Sequence, residues 1–140
     1  MAKTFGDKEK SYISRGVEQV LAKAESDAEI VAVFLFGSQA RGESTSASDA
    51  DICLILRPCS YDAPTLFQKR LNYLKETSAD VHIFSQLPLY IRRRVLKEGK
   101  MLLCQDEDVL YEVAFRTAQA FEDFKHIYYG YLEQVAHAGP

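Results

Sequence analysis

Long apolar runs are missing from this sequence. The longest, Ile30 to Phe36, is far shorter than the roughly 20 residues that cross a bilayer. The polar N-terminus does not read as a signal peptide. Neither a membrane partner nor export is expected, and a cytoplasmic location follows by default. Long basic stretches are missing too, and the net charge of −3 argues against a protein built to coat nucleic acid. Cysteine is scarce: Cys53, Cys59 and Cys104 form an odd set without the close spacing of a zinc site. His82, His126 and His137 are too scattered to complete one. Cys53 falls in an apolar run and is expected to be a small buried hydrophobe.

What is present suits one soluble domain. The chain has 140 residues, 47% of them hydrophobic and 26% charged, enough for a modest core. No repeat or low-complexity linker divides it, so a single domain over 1–140 is expected, with its core motif region at about 30–99.

Apolar spacing predicts an amphipathic helix from about Lys8 to Lys23, carried by Tyr12, Ile13, Val17, Val20 and Leu21. Ile30 to Phe36 is a continuous β-rich run, the pattern of a strand buried on both faces. Gly37 to Ser48 is small and polar, and reads as loop. Asp51 to Leu56 is a second strand. Asp62 to Glu76 is a helix with Leu66, Phe67, Leu71 and Leu74 inward, and Ala79 to Phe84 a third strand. Leu87 to Glu98 is a short helix that Gly99 ends as a C′ residue, and Met101 to Cys104 is a short fourth strand. From Asp106 to Val135 a long helix carries apolar residues at steps of three and four. Helices alternating with strands give an α/β or α+β sheet fold.

Two features carry chemistry. Gly37-Ser38 closes the first apolar strand, and Asp49-Ala50-Asp51 opens the next after ten intervening residues. Side chains at i and i+2 of a strand share a face, so Asp49 and Asp51 project together. Paired carboxylates repel unless a cation lies between them, and oxygen ligands favour Mg²⁺ or Mn²⁺. With two ions, one activates an attacking hydroxyl and the other steadies a departing pyrophosphate. Gly37 lets the backbone approach a triphosphate. The Ser38 hydroxyl can donate to a phosphate oxygen, and Arg41 can add a guanidinium. Asp80 opens the third strand as Asp51 opens the second, so adjacent strands would bring a third carboxylate to the pair, to hold metal or accept a proton. His82 shares the face of Asp80 and reads as a packed or rim histidine rather than a ligand.

At these residues the chain resembles the minimal nucleotidyltransferases (MNT) of the DNA polymerase β superfamily, whose pattern is Gly-Ser, ten residues, Asp-x-Asp and a later acidic residue. The resemblance implies a polymerase β-like fold: a small mixed sheet packed by helices, with a long C-terminal helix. Members this short are similar to the antitoxin half of pairs whose toxin is a helical HEPN ribonuclease. The implied activity is transfer of AMP from ATP to a tyrosine hydroxyl of that toxin, as in type VII-like toxin–antitoxin pairs. It implies Mg²⁺ held by Asp49, Asp51 and Asp80, and β- and γ-phosphates held by Gly37 and Ser38, helped by Arg41. The short chain leaves no room for a second substrate domain, which points to a macromolecular acceptor. Two alternatives stay open: adenylylation of a small hydroxylated molecule such as an aminoglycoside, and neutralisation of a partner by contact alone.

Two weaker features remain. Arg92-Arg93-Arg94 point in three directions on a helix and cannot form one stripe; a solvated face is expected, with room for one of them to reach the triphosphate or a partner. The last helix is aromatic-rich, and most of Phe115, Phe121, Phe124, Tyr128, Tyr129 and Tyr131 are expected to pack on the sheet, with the spare ones at its rim or on a partner surface.

Overall fold

The apolar run Ile30–Phe36 forms β2, the middle of a five-stranded sheet in the order β1-β5-β2-β3-β4. The computed structural model describes residues 3–4, 15–37 and 51–137. The other strands are β1 (Lys3–Thr4), β3 (Asp51–Leu56), β4 (Asp80–Ile83) and β5 (Lys100–Cys104). The helices are α1 (Arg15–Glu25), α2 (Ala63–Leu74), α3 (Leu89–Glu98) and α4 (Glu107–His137), with a 3₁₀ turn at Phe84–Gln86. The sheet is mixed. β2 runs antiparallel to both β5 and β3, whereas β3 and β4 are parallel and connect through α2.

Both faces of β2 are covered, as its unbroken apolar sequence requires. On one face Val17, Val20 and Ala24 of α1 and Tyr73 of α2 pack against Val33, Leu35, Ile52, Leu54 and Val81. On the other, Val95 of α3 packs with Phe34, Cys53, Ile55 and Phe84, and Leu110 and Val113 of α4 join them. Cys53 is wholly buried, and burial pushes its thiol pKa far up.

Three expectations need correction. Phe67 is 57% exposed, and Tyr73 takes the inward position on α2. Its hydroxyl donates to Asp27 Oδ2 at 2.8 Å, so the buried ring keeps a partner for its polar end. Gly99 does not adopt a left-handed C′ conformation; it is the C-cap, extended at φ −71 and ψ 161. Glycine suits it because a Cβ would collide with the Val95 carbonyl oxygen and lie 3.1 Å from that of Leu35. The missing side chain therefore lets α3 seat on β2.

The third correction concerns α4. Thr117 is buried and Phe121 partly so, but Phe124, Tyr128, Tyr131 and Val135 are exposed. Length is the reason. A helix of 31 residues spans about 46 Å, whereas the longest strand, at 7 residues, spans about 23 Å. The outer half of α4 has no sheet to lie on.

Candidate active site

The site lies where β2 ends and β3 begins. Phe36 pairs with Asp51 across the antiparallel ladder, and Asp51 pairs with Asp80 across the parallel one. Direct register partners share a face, so both carboxylates stand on the α3 side of the sheet. His82, two residues along β4 and opposite Cys53, shares that face. Its Nε2 lies 3.0 Å from Asp80 Oδ2 and 3.8 Å from Asp51 Oδ1, and its ring packs edge-on against Phe36 at 5.6 Å. The histidine is packed, then, but it also faces both acids.

Asp51, Asp80 and His82 each offer one ligand atom, and these atoms lie within 4.8 Å of one another. The two hard carboxylate oxygens suit Mg²⁺ or Mn²⁺, whereas the imidazole nitrogen is a ligand that transition ions accept more readily than Mg²⁺ does. The group is partly exposed: the side chains of Asp51, Asp80 and His82 are 35%, 47% and 26% accessible. A solute can reach it.

Gly37 has the one positive φ recorded among the described residues, +83. A Cβ there would stand 2.6 Å from Asp51 Oδ2. Two independent constraints thus demand glycine: the left-handed backbone and the carboxylate pressed against it. Beside Gly37 opens a cleft of about 230 Å³ lined by Phe36, Ile91, Arg94, Val95, Glu98 and Gly99. It combines apolar walls with one guanidinium and one carboxylate.

Asp49, Ser38 and Arg41 lie outside the described residues. Of two arginines at the site, Arg70 escaped the sequence reading, and Arg94 was visible only as one of three in a run. Arg70 donates from Nε to the Val81 carbonyl at 2.6 Å and places Nη2 3.6 Å from Asp80 Oδ1. A signal for it existed: Arg70 interrupts the Leu66–Leu74 stripe of α2 at i+4, where an apolar residue belongs. Arg94 at the cleft had no signal beyond its place in the arginine run. That run does diverge, but not into solvent alone. Arg93 lies over the Phe121 ring at 4.4 Å, Arg94 lines the cleft, and Arg92 buries an Nε without a hydrogen-bond partner among the described residues.

A family model described as polymerase beta, nucleotidyltransferase, matches residues 18–108. The chain belongs to this nucleotidyltransferase family. A Methanocaldococcus jannaschii protein named "Putative protein adenylyltransferase MJ1547" is 32% identical over 96 residues, covering 69% of this chain and 73% of that protein. Among solved structures, a toxin–antitoxin crystal structure with AMP-PNP superposes at a TM-score of 0.61 and 18% identity, over 85% of this chain and 98% of that one. A tri-AMPylated Shewanella oneidensis HEPN toxin in complex with an MNT antitoxin gives 0.56 and 16%, over 86% and 92%. At those identities the likeness is one of fold: the polymerase β-like nucleotidyltransferase fold. No helix among the described residues is long and apolar enough to cross a membrane.

Proposed function

We propose that this chain is a Mg²⁺-dependent protein adenylyltransferase that moves AMP from ATP to a tyrosine hydroxyl of a HEPN-family toxin and so acts as its antitoxin. One observation carries the reading: Asp51 and Asp80 stand in register on neighbouring strands, with the Gly37 backbone against the Asp51 carboxylate. The named adenylyltransferase relative and the MNT antitoxin seen with a HEPN toxin support the same acceptor class.

In this reading Asp51 and Asp80, joined by Asp49 from the sequence motif, would hold two Mg²⁺ ions. When bound, these ions supply charge neutralisation at the triphosphate and a more acidic acceptor hydroxyl. Gly37 brings backbone close to the β- and γ-phosphates, with the Ser38 hydroxyl and Arg41 assigned to the same phosphates. Asp80 accepts the proton that leaves the tyrosine hydroxyl. The tyrosine oxygen bonds to the α-phosphorus, and the bond to pyrophosphate breaks. His82 holds the Asp80 carboxylate in place.

The test is the mass of a cognate HEPN-family protein after incubation with this chain, ATP and Mg²⁺. The wild type is expected to add whole AMP units, and Asp51→Asn none, with its fold unchanged. An Asp51→Asn variant that still transferred AMP would overturn the assignment. The exposed outer half of α4 favours one second reading, neutralisation by contact alone. Toxin inhibition that survives Asp51→Asn would establish it.

A further inference from the structure

We infer that the outer half of α4 is the docking surface for the acceptor protein, which lays a groove between two of its own helices along it. The inference rests on the proposed function and adds where that partner binds. Phe124, Ile127, Tyr128, Tyr131, Leu132 and Val135 are 41–74% exposed on one ordered helix. Written as a heptad, Phe124 and Tyr131 hold one core position, Tyr128 and Val135 the other, and Ile127 and Leu132 flank them on opposite sides. Their order continues the stripe that packs Leu110, Val113 and Thr117 onto the domain.

The width of the stripe selects the occupant. A single partner helix covers two heptad positions; here four are apolar, which is what a groove between two helices covers. At aromatic areas of 150–250 Å² per side chain, half exposed, the stripe offers roughly 500 Å². That is most of the about 800 Å² one side of a standard interface contributes. Asp123 and Lys125 border the stripe with one charge of each sign, so its width rather than its charge selects the occupant.

Position completes the argument. Arg93 of α3 lies on the Phe121 ring, at the inner end of the stripe, and the next residue, Arg94, lines the cleft beside Gly37. A protein seated on the inner end of the stripe therefore borders α3, the helix whose Arg94 lines the cleft beside Gly37.

The test combines sedimentation velocity of the chain alone with calorimetric titration by the cognate HEPN-family protein. The chain alone is expected to be a monomer at micromolar concentration. Wild type and Asp51→Asn should bind the partner equally. Phe124→Gln/Tyr131→Gln, which alters exposed positions only, should bind at least 100-fold more weakly, keep its circular dichroism spectrum, and raise KM for the protein acceptor rather than lower kcat. Unchanged affinity in that double variant, with AMP transfer intact, overturns the docking surface and leaves the catalytic reading standing. Docking through α4 without transfer by the wild type does the reverse. A dimer of the chain alone that the double variant dissolves assigns the stripe to a second copy and overturns the inference.

Discussion

The space that a side chain on Gly37 would need belongs to the carboxylate of Asp51, whose Oδ2 would lie 2.6 Å from a Cβ there. Backbone conformation and the position of a candidate metal ligand therefore both bear on this one residue. Gly37→Ala is expected to cost about 1–3 kcal/mol for the positive φ and, in addition, to displace Asp51. AMP transfer should fall by more than 100-fold, well beyond what the lost stability accounts for. Denaturant titration beside transfer rates separates the two effects, and equal losses would mean that Asp51 has not moved.

His82 faces both carboxylates. In His82→Ala, Asp80 loses its 3.0 Å partner, and metal-free stability should fall by about 1 kcal/mol. Millimolar Mg²⁺ should recover most of that, because an ion bound to the folded state alone stabilises it. Melting curves with EDTA and with Mg²⁺ read the difference. Asp80→Asn should show a smaller Mg²⁺-dependent gain than the wild type.

At the far end of β2 a separate cluster governs behaviour in acid. Lys69 Nζ lies 2.6 Å from Asp27 Oδ2 and 2.7 Å from Glu29 Oε1. Burial opposes ionisation of Asp27, but hydrogen bonds from Lys69 and Tyr73 outweigh it and hold its pKa below the usual carboxylate range. The Lys69 and Tyr61 hydrogen bonds do the same for Glu29. A folded-state pKa below the unfolded one means stabilisation that is complete above about pH 4 and vanishes as pH falls through the folded value. Stability should therefore drop below pH 4. Asp27→Asn should flatten that part of the curve, as thermal melts between pH 2.5 and 6 would show.

Gly99→Ala should destabilise by about 1–3 kcal/mol, the usual cost of forcing a group into a packed contact. The new methyl meets the Val95 and Leu35 carbonyl oxygens, so α3 must lift from β2. A normal melting temperature in this variant would contradict that packing.

Local chemistry was legible in the sequence. Ile30–Phe36 and Asp51–Leu56 are strands where unbroken apolar runs place them, and Asp80 opens β4 as Asp51 opens β3. Asp62 caps α2 through Thr65 N–H at 2.8 Å, as a helix-starting aspartate does. Relations set by distant chain were not legible. Periodicity cannot tell that β5 enters between β1 and β2. Nor can it tell that the sheet runs out beneath α4 at Phe121, because the same three-and-four spacing continues to Val135. His82 was visible as a face-mate of Asp80, but its ring contact with Phe36 on another strand was not.

The placement of β5 has a consequence for unfinished chains. The carboxylates open β3 and β4 and the glycine follows β2, all made before residue 84, yet one border of β2 is closed only by β5. A chain interrupted before Lys100 would own every described part of the candidate site. It would also offer the bare backbone edge of seven apolar residues to any neighbour, and such edges template aggregation. Synthesis must reach the strand that shelters the catalytic core before that core is safe to expose.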